Sequence, residues 1–359
     1  MKLVTGGTGF VGSYLLYRLA QWGSAVKALK RKESSSRQTE LIFHEMAGHE
    51  GKDGGYAAEL FSRVHWVHGD ITDPSSMEEA LEGVDTIFHS AAMVSFRPSE
   101  KPLMEDVNVG GTTLMVDLAI EKGIENFVHI SSTASLPRQH NRKIDETFHE
   151  ERPRFSSPYS ETKYRSEMEV WRGRSEGLNV LVVNPSIIFG PCDFSRDEGS
   201  ASFFNKVYQG IKFYPCGSNA FVDVRDVADK TLALHNLDEA WNKRYILTSE
   251  HWPFKEVFEV ASSKLGVNPP TIEIGYRLGM LAARLDSFKA FITGKAPKIT
   301  PALINTSVHN FYYDNTRVKE LLNTSFIPVK DSIEDSCRLL LKMKNADFTY
   351  PELQKTQLA

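Results

Sequence analysis

Lys2-Leu3-Val4-Thr5-Gly6-Gly7-Thr8-Gly9-Phe10-Val11-Gly12 is the stretch that decides the fold. Lys2 to Thr5 reads as a short buried strand, and the amphipathic pattern from about Ser13 to Trp22 reads as a helix. Between them Gly7, Gly9 and Gly12 match a Gly-x-Gly-x-x-Gly spacing, while Gly6, Gly9 and Gly12 match Gly-x-x-Gly-x-x-Gly. Glycines spaced in this way permit a tight turn, close approach of backbone to a pyrophosphate, and close packing of helix on strand. The helix N-terminus adds amide donors and a partial positive charge. A glycine-rich turn that binds nothing has the same composition, but the strand before it and the helix after it favour a nucleotide site.

Outward from this turn, Ala25 to Leu29 reads as a second strand. Dinucleotide folds carry a ribose-binding acid at its end, or an arginine where the ribose bears a 2'-phosphate. Lys30-Arg31-Lys32 stands there, so the charge points to NADP over NAD, with a solvated basic cluster as the alternative. Residues 34 to 62 read as an excursion at the sheet edge without chemistry. Val64 to His68, Asp85 to His89, Asn126 to Ser131 and Leu178 to Val183 continue the strands, with helices over Ser75 to Leu81 and Pro102 to Lys122. The alternation predicts an α/β fold, a Rossmann-type doubly wound parallel sheet with a smaller, partly discontinuous C-terminal substrate lobe. The expected division is 1–190 for the NADP-binding domain with 220–250 returning to it, 191–219 and 251–330 for the substrate lobe, and 331–359 for a C-terminal helix and tail.

Tyr159-Ser-Glu-Thr-Lys163 supplies the chemistry. Positions four apart on a helix share a face, so an ammonium sits near a phenol and favours its ionised form. Such pairs also occur as packed rings beside solvated amines, and what precedes this one gives it weight. Ser131-Ser132-Thr133-Ala134-Ser135 follows a strand, where a hydroxyl cluster can donate to a substrate oxygen. Ser90-Ala91-Ala92 places small residues at another strand end, where a flat ligand can lie against backbone. Asn108 falls inside a helix, where asparagine is usually solvated or bonded locally.

Composition excludes several classes. With 359 residues, 41% hydrophobic and 25% charged, the chain is an ordinary globular one that can bury a sizeable core. A net charge of -4 without a long basic run disfavours nucleic acid. Three widely spaced cysteines and scattered histidines favour free thiols and no metal. The chain opens almost directly on a strand, leaving no secretion signal, so the cytoplasm is the expected location. No apolar run is long enough to span a bilayer. The nearest, Tyr276 to Phe291, is interrupted by charges and suits an amphipathic helix packed on the protein's own core, with membrane-surface docking as the alternative.

The ordered set of Thr5 to Gly12, Asp70-Ile71-Thr72-Asp73, His89 to Ala92, Asn108 to Thr112, Ser131 to Thr133, Tyr159 to Lys163 and Asn184-Pro185 to Gly190-Pro191 resembles the extended short-chain dehydrogenase/reductase superfamily. The basic end of the second strand, Phe221 to Ala228, and the tail from Tyr313 to Leu322 are similar to its dihydroflavonol reductase and 3-beta-hydroxysteroid dehydrogenase branch. The resemblance implies Tyr159 as proton donor, Lys163 as the group that lowers its pKa and holds the ribose, Thr133 or the adjacent Ser132 as polarising hydroxyl, and Asn108 as support for the lysine through water. It implies cofactor contacts from Gly6, Gly9 and Gly12 at the pyrophosphate, from Arg31 at the 2'-phosphate, from Asp70 at the adenine, and from Thr8, Phe10, Val11, Lys30, Ile71, Ser90, Ala91, Ala92, Pro185 and Ile188. The implied function is NADP(H)-dependent reduction of a ketone or aldehyde, a small-molecule carbonyl substrate, with NAD also possible as cofactor. A nucleotide-sugar epimerase or dehydratase with tightly bound NAD is the alternative enzyme, and a nucleotide-sensing protein without turnover the alternative of another class. Helices at the Tyr159 segment and at 102–122 suit a homodimer.

Overall fold

The computed structural model describes residues 1–137, 142–148, 157–196, 198–293, 297 and 299–351. Its centre is a seven-stranded sheet in the order Lys243–Leu247, Asn179–Pro185, Asn126–Ile130, Thr86–His89, Lys2–Thr5, Val26–Lys30, Val64–His68. Every neighbouring pair is parallel. The first strand lies inside the sheet with Lys2 in register with Val26 on one side and Thr86 on the other, so the chain order reverses at its carboxyl end. In doubly wound sheets ligands bind in the crevice at that reversal.

The strands are apolar at successive positions because both faces are covered. Val4, Phe88, Val128, Leu181 and Val183 enter one core with Tyr14, Leu15, Phe43 and Phe61. Leu3, Ile87, Phe127, Val180 and Val182 enter the other with Met77, Met115, Val116 and Val170. The segment read as an edge excursion belongs to the first core. Helices Arg37–His49 and Gly54–Ser62 close over the helix Phe10–Gln21, with Phe43 edge-on to Tyr17 at 5.2 Å and to Phe61 at 5.3 Å. The region read as one helix over 102–122 is α-helical at Lys101–Met104, passes through a wider π turn at Glu105–Gly110, and resumes as an α-helix at Gly111–Glu121.

Beyond the sheet, Glu250–Pro253, Ser218–Asp223 and Ile187–Phe189 form a smaller three-stranded sheet. Phe189, Phe204 and Phe221 fill a third core beneath it with Val257, Cys337 and Leu340. The helix Tyr276–Thr293 rests on the helix Pro301–Ser307 through its small residues. A side-chain carbon added at Gly279 would lie 2.9 Å from Ile304 Cγ2, and Ala283 is fully buried beside it. Leu278, Leu281, Leu285 and Phe288 are left outside, contrary to the expectation that this stripe faces the protein's own core. No helix among the described residues is long and apolar enough to cross a membrane.

Candidate active site

The glycine turn has the shape a dinucleotide needs. Gly6 adopts φ +68°, and a side chain there would press within 2.8 Å of the Ala91 amide. A Cβ on Gly12 would lie 2.1 Å from the Gly6 carbonyl, so helix and turn meet without a spacer. Gly9 caps the helix Phe10–Gln21, whose first-turn amides lack intrahelical acceptors and face the switch point. Thr5 ties the two strand ends together there: its hydroxyl accepts from the Ser90 and Ala91 amides, each at 3.2 Å, and pairs with His89 Nδ1 at 2.9 Å. This cradle of backbone donors fits a pyrophosphate, and the small Ser90-Ala91-Ala92 segment stands against it.

Tyr159 and Lys163 project from the helix Pro158–Ser175, which begins at a capping box between Ser157 and Ser160 with Pro158 in the first turn. Tyr159 is half-buried, with the Phe96 ring 6.5 Å from its own. Lys163 is buried and donates to the Ile130 carbonyl at 2.9 Å. Burial pulls its pKa down to about 8, opposed by the charge of Glu167 one turn further on. Behind it, burial and the Lys163 charge hold His89 at about 3 and His129 well below its ordinary value, so both stacked imidazoles are neutral.

The hydroxyl turn Thr133–Ser135 is fastened to this same helix. Glu167, buried, accepts from Ser131 Oγ and Ser135 Oγ at 2.7 Å each and from Asn184 Nδ2 at 2.9 Å. Its other oxygen meets Arg244 Nη2 at 2.7 Å and Trp171 Nε1 at 3.2 Å. Ser132 Oγ is occupied as the turn's own cap, accepting from the Ala134 amide at 3.1 Å. The Thr133 hydroxyl makes no hydrogen bond among the described residues, and Ser132, which only accepts, also keeps its O–H to donate.

Asn108 is brought to the Tyr159 helix by the π turn, with its side-chain amide bonded to Met93 and Thr162. It accepts from the Met93 amide at 2.7 Å and donates to the Met93 carbonyl at 2.9 Å and to Thr162 Oγ1 at 3.0 Å, while its carbonyl accepts from Ser166 Oγ at 2.5 Å. It therefore joins the loop after Ala92 to the Tyr159 helix. Functional π turns commonly arise where a helix must present one residue out of phase.

The remaining candidates divide by availability. Lys30 Nζ sits over the Trp66 ring at 5.4 Å, whereas Arg31 is exposed without an ion pair among the described residues. Asp70 spends one carboxylate oxygen on the Thr72 amide and hydroxyl at 2.9 and 2.8 Å. The Ile71 side chain packs into the core against Gly111, leaving its backbone for any ligand. Thr8, Phe10 and Val11 line the turn, half-buried; Pro185 ends the sixth strand, and Ile188 packs beside the first core. Three participants escape sequence reading: Glu167, Arg244, and Arg196, whose guanidinium donates to the Thr8 carbonyl at 3.3 Å across the glycine turn. Among the described residues no group of three or more histidine, cysteine, aspartate or glutamate side chains could hold a metal ion.

Dinucleotide-dependent oxidoreductases of the extended short-chain type are the class this sheet order and this Tyr/Lys helix define. The chain belongs to the NAD dependent epimerase/dehydratase family, whose model matches residues 2–247. It is 29% identical to sterol demethylase protein B of Methylococcus capsulatus, covering 77% of this chain and 78% of that one. It is 26% identical to 3beta-hydroxysteroid-dehydrogenase/decarboxylase isoform 1 of Arabidopsis thaliana over 99% of this chain and 82% of the relative. The crystal structure of gox2253 superposes with a TM-score of 0.76 at 27% identity, covering 96% and 98% of the two chains.

Proposed function

We propose that the protein is an NADP(H)-dependent reductase of a ketone or aldehyde in the cytoplasm. The observation that carries the cofactor choice is the end of the second strand, where Arg31 is exposed without an ion pair among the described residues and no acid stands before Glu33. Arg31 holds the 2'-phosphate, Arg196 and the glycine turn hold the pyrophosphate, and Lys163 holds the nicotinamide ribose. When bound, the cofactor supplies the hydride.

The chain's own residues manage the oxygen. Thr133 donates a hydrogen bond to the substrate carbonyl oxygen and stabilises the charge that develops there. Tyr159 delivers the proton, and the Lys163 ammonium stabilises the phenolate left behind. With its pKa near 8, Lys163 stays mostly protonated at neutral pH yet lies within reach of proton exchange. Met93 and Phe96, beside Asn108 and Tyr159, form the apolar rim at the mouth.

The test is purified enzyme with NADPH or NADH and a panel of carbonyl compounds, headed by sterol ketones because two relatives bear sterol or steroid names. Tyr159→Phe lowers turnover by roughly 10^2- to 10^4-fold while cofactor affinity stays near wild type. Arg31→Asp moves preference from NADP toward NAD. Protein that retains NAD through purification and interconverts nucleotide sugars would overturn the reductase reading.

A further inference from the structure

The outward face of the helix Tyr276–Thr293 is built for a surface that is both apolar and negative. Leu278, Leu281, Leu285 and Phe288 recur at three- and four-residue steps, and Leu285 and Phe288 are 62% and 64% exposed. With 3.6 residues per turn these four fall on one stripe. Arg277 and Arg284 flank one edge of it and Lys289 the other, all exposed and none in an ion pair among the described residues. The helix's one acid, Asp286, lies on the opposite side, where it accepts from the Ile299 amide at 2.8 Å. Along the sequence, the next acid on the N-terminal side is Glu273, ahead of the helix.

The inward face is already closed by Gly279 and Ala283 on Ile304, so the leucines are not a core face awaiting its partner helix. Just ahead of the helix in sequence, Ile272 is exposed and in register with the exposed Phe213. We propose that this face docks the protein on an anionic lipid surface, with the helix lying in the headgroup plane. The leucines and Phe288 enter the acyl boundary, and the three cations remain at the phosphates on their flexible stems. The chain as a whole carries -4, so the attraction belongs to this face and not to overall charge. A second copy is a poorer occupant: a twofold pair would gather six cations around one seam with no acid on the face to meet them. The inference does not rest on the reductase reading.

The experiment is flotation of the full-length protein with phosphatidylcholine vesicles made with and without phosphatidylserine. The protein floats with the phosphatidylserine vesicles and is released as salt rises. The triple variant Arg277→Glu, Arg284→Glu, Lys289→Glu loses partitioning on the order of a hundred-fold, and Leu281→Gln with Leu285→Gln loses it independently of charge. Circular dichroism and thermal melting verify that both variants keep the fold, as substitutions at exposed positions should. Three outcomes overturn the proposal: no flotation with either vesicle, flotation indifferent to charge reversal, or a dimer without vesicle binding that the leucine variant dissolves, which would make a second copy the occupant.

Discussion

The helices Pro158–Ser175 and Tyr276–Thr293 have the same length, eighteen residues, and opposite relations to water. The first buries Ser160, Thr162, Lys163, Ser166 and Glu167, and the structure gives each of these side chains a hydrogen bond. The second leaves three leucines and a phenylalanine in solvent and buries a glycine and an alanine. Polarity alone therefore does not decide which side faces in. A buried polar group is tolerated when its hydrogen bonds are complete, and a large apolar one stays outside when small residues make the closer contact.

The comparison breaks most visibly at Glu167. Glu167→Ala leaves Ser131, Ser135, Asn184 and Arg244 without their shared acceptor and costs about 3–5 kcal/mol, measured by denaturant unfolding. Glu167→Gln keeps the volume and adds a readout that packing alone does not move. Lys163 is charged below its pKa of about 8 and loses its charge as pH rises through it; Glu167 raises that pKa, so its removal lowers it. The alkaline limb of turnover accordingly shifts to lower pH, and an unmoved limb would break the connection between the two residues.

A second effect concerns the imidazoles under Lys163. His89 and His129 are held neutral in the fold, His89 down to about 3, while in the unfolded chain each titrates at its ordinary 6.5. Below that value the unfolded state binds more protons, so stability falls as pH drops from 6.5. Thermal melting between neutral pH and pH 4 reads the slope, and a His129→Phe variant should flatten part of it. The smallest effect lies on the other helix: Leu281→Gln with Leu285→Gln changes unfolding free energy by no more than about 0.5 kcal/mol per site, and a larger loss in vesicle-free solution would show that the stripe is packed after all.

How much of this was legible in the sequence follows from the range of the forces involved. The glycine turn could be read because its constraint is local and steric: Gly6 needs its positive φ, and Gly12 needs the space against Gly6. Tyr159 and Lys163 could be read because four residues of one helix fix their relation. Glu167 lies one turn beyond, but a glutamate on a helix ordinarily faces solvent, and the partners that draw it inward come from three other segments. Arg196 is joined to Thr8 from an irregular stretch near the middle of the chain. The strand Lys243–Leu247 opens on a lysine and an arginine, which hides an edge strand of a buried sheet. For the helix Tyr276–Thr293, periodicity located the apolar stripe but carried no information about what lies opposite it. The π turn at Asn108 depends on a shift of backbone hydrogen bonding that no side-chain pattern announces.

The ion pair between Arg244 and Glu167 also imposes an order in time. Synthesis proceeds from the N-terminus, so the ribosome releases the glycine turn, the hydroxyl turn and the Tyr159 helix well before it makes Arg244. Until then the carboxylate that ties the hydroxyl turn to that helix lacks its guanidinium. The last strand of the sheet in the chain is thus the one that completes the Glu167 network, and a nascent chain cannot complete this arrangement before that strand has emerged.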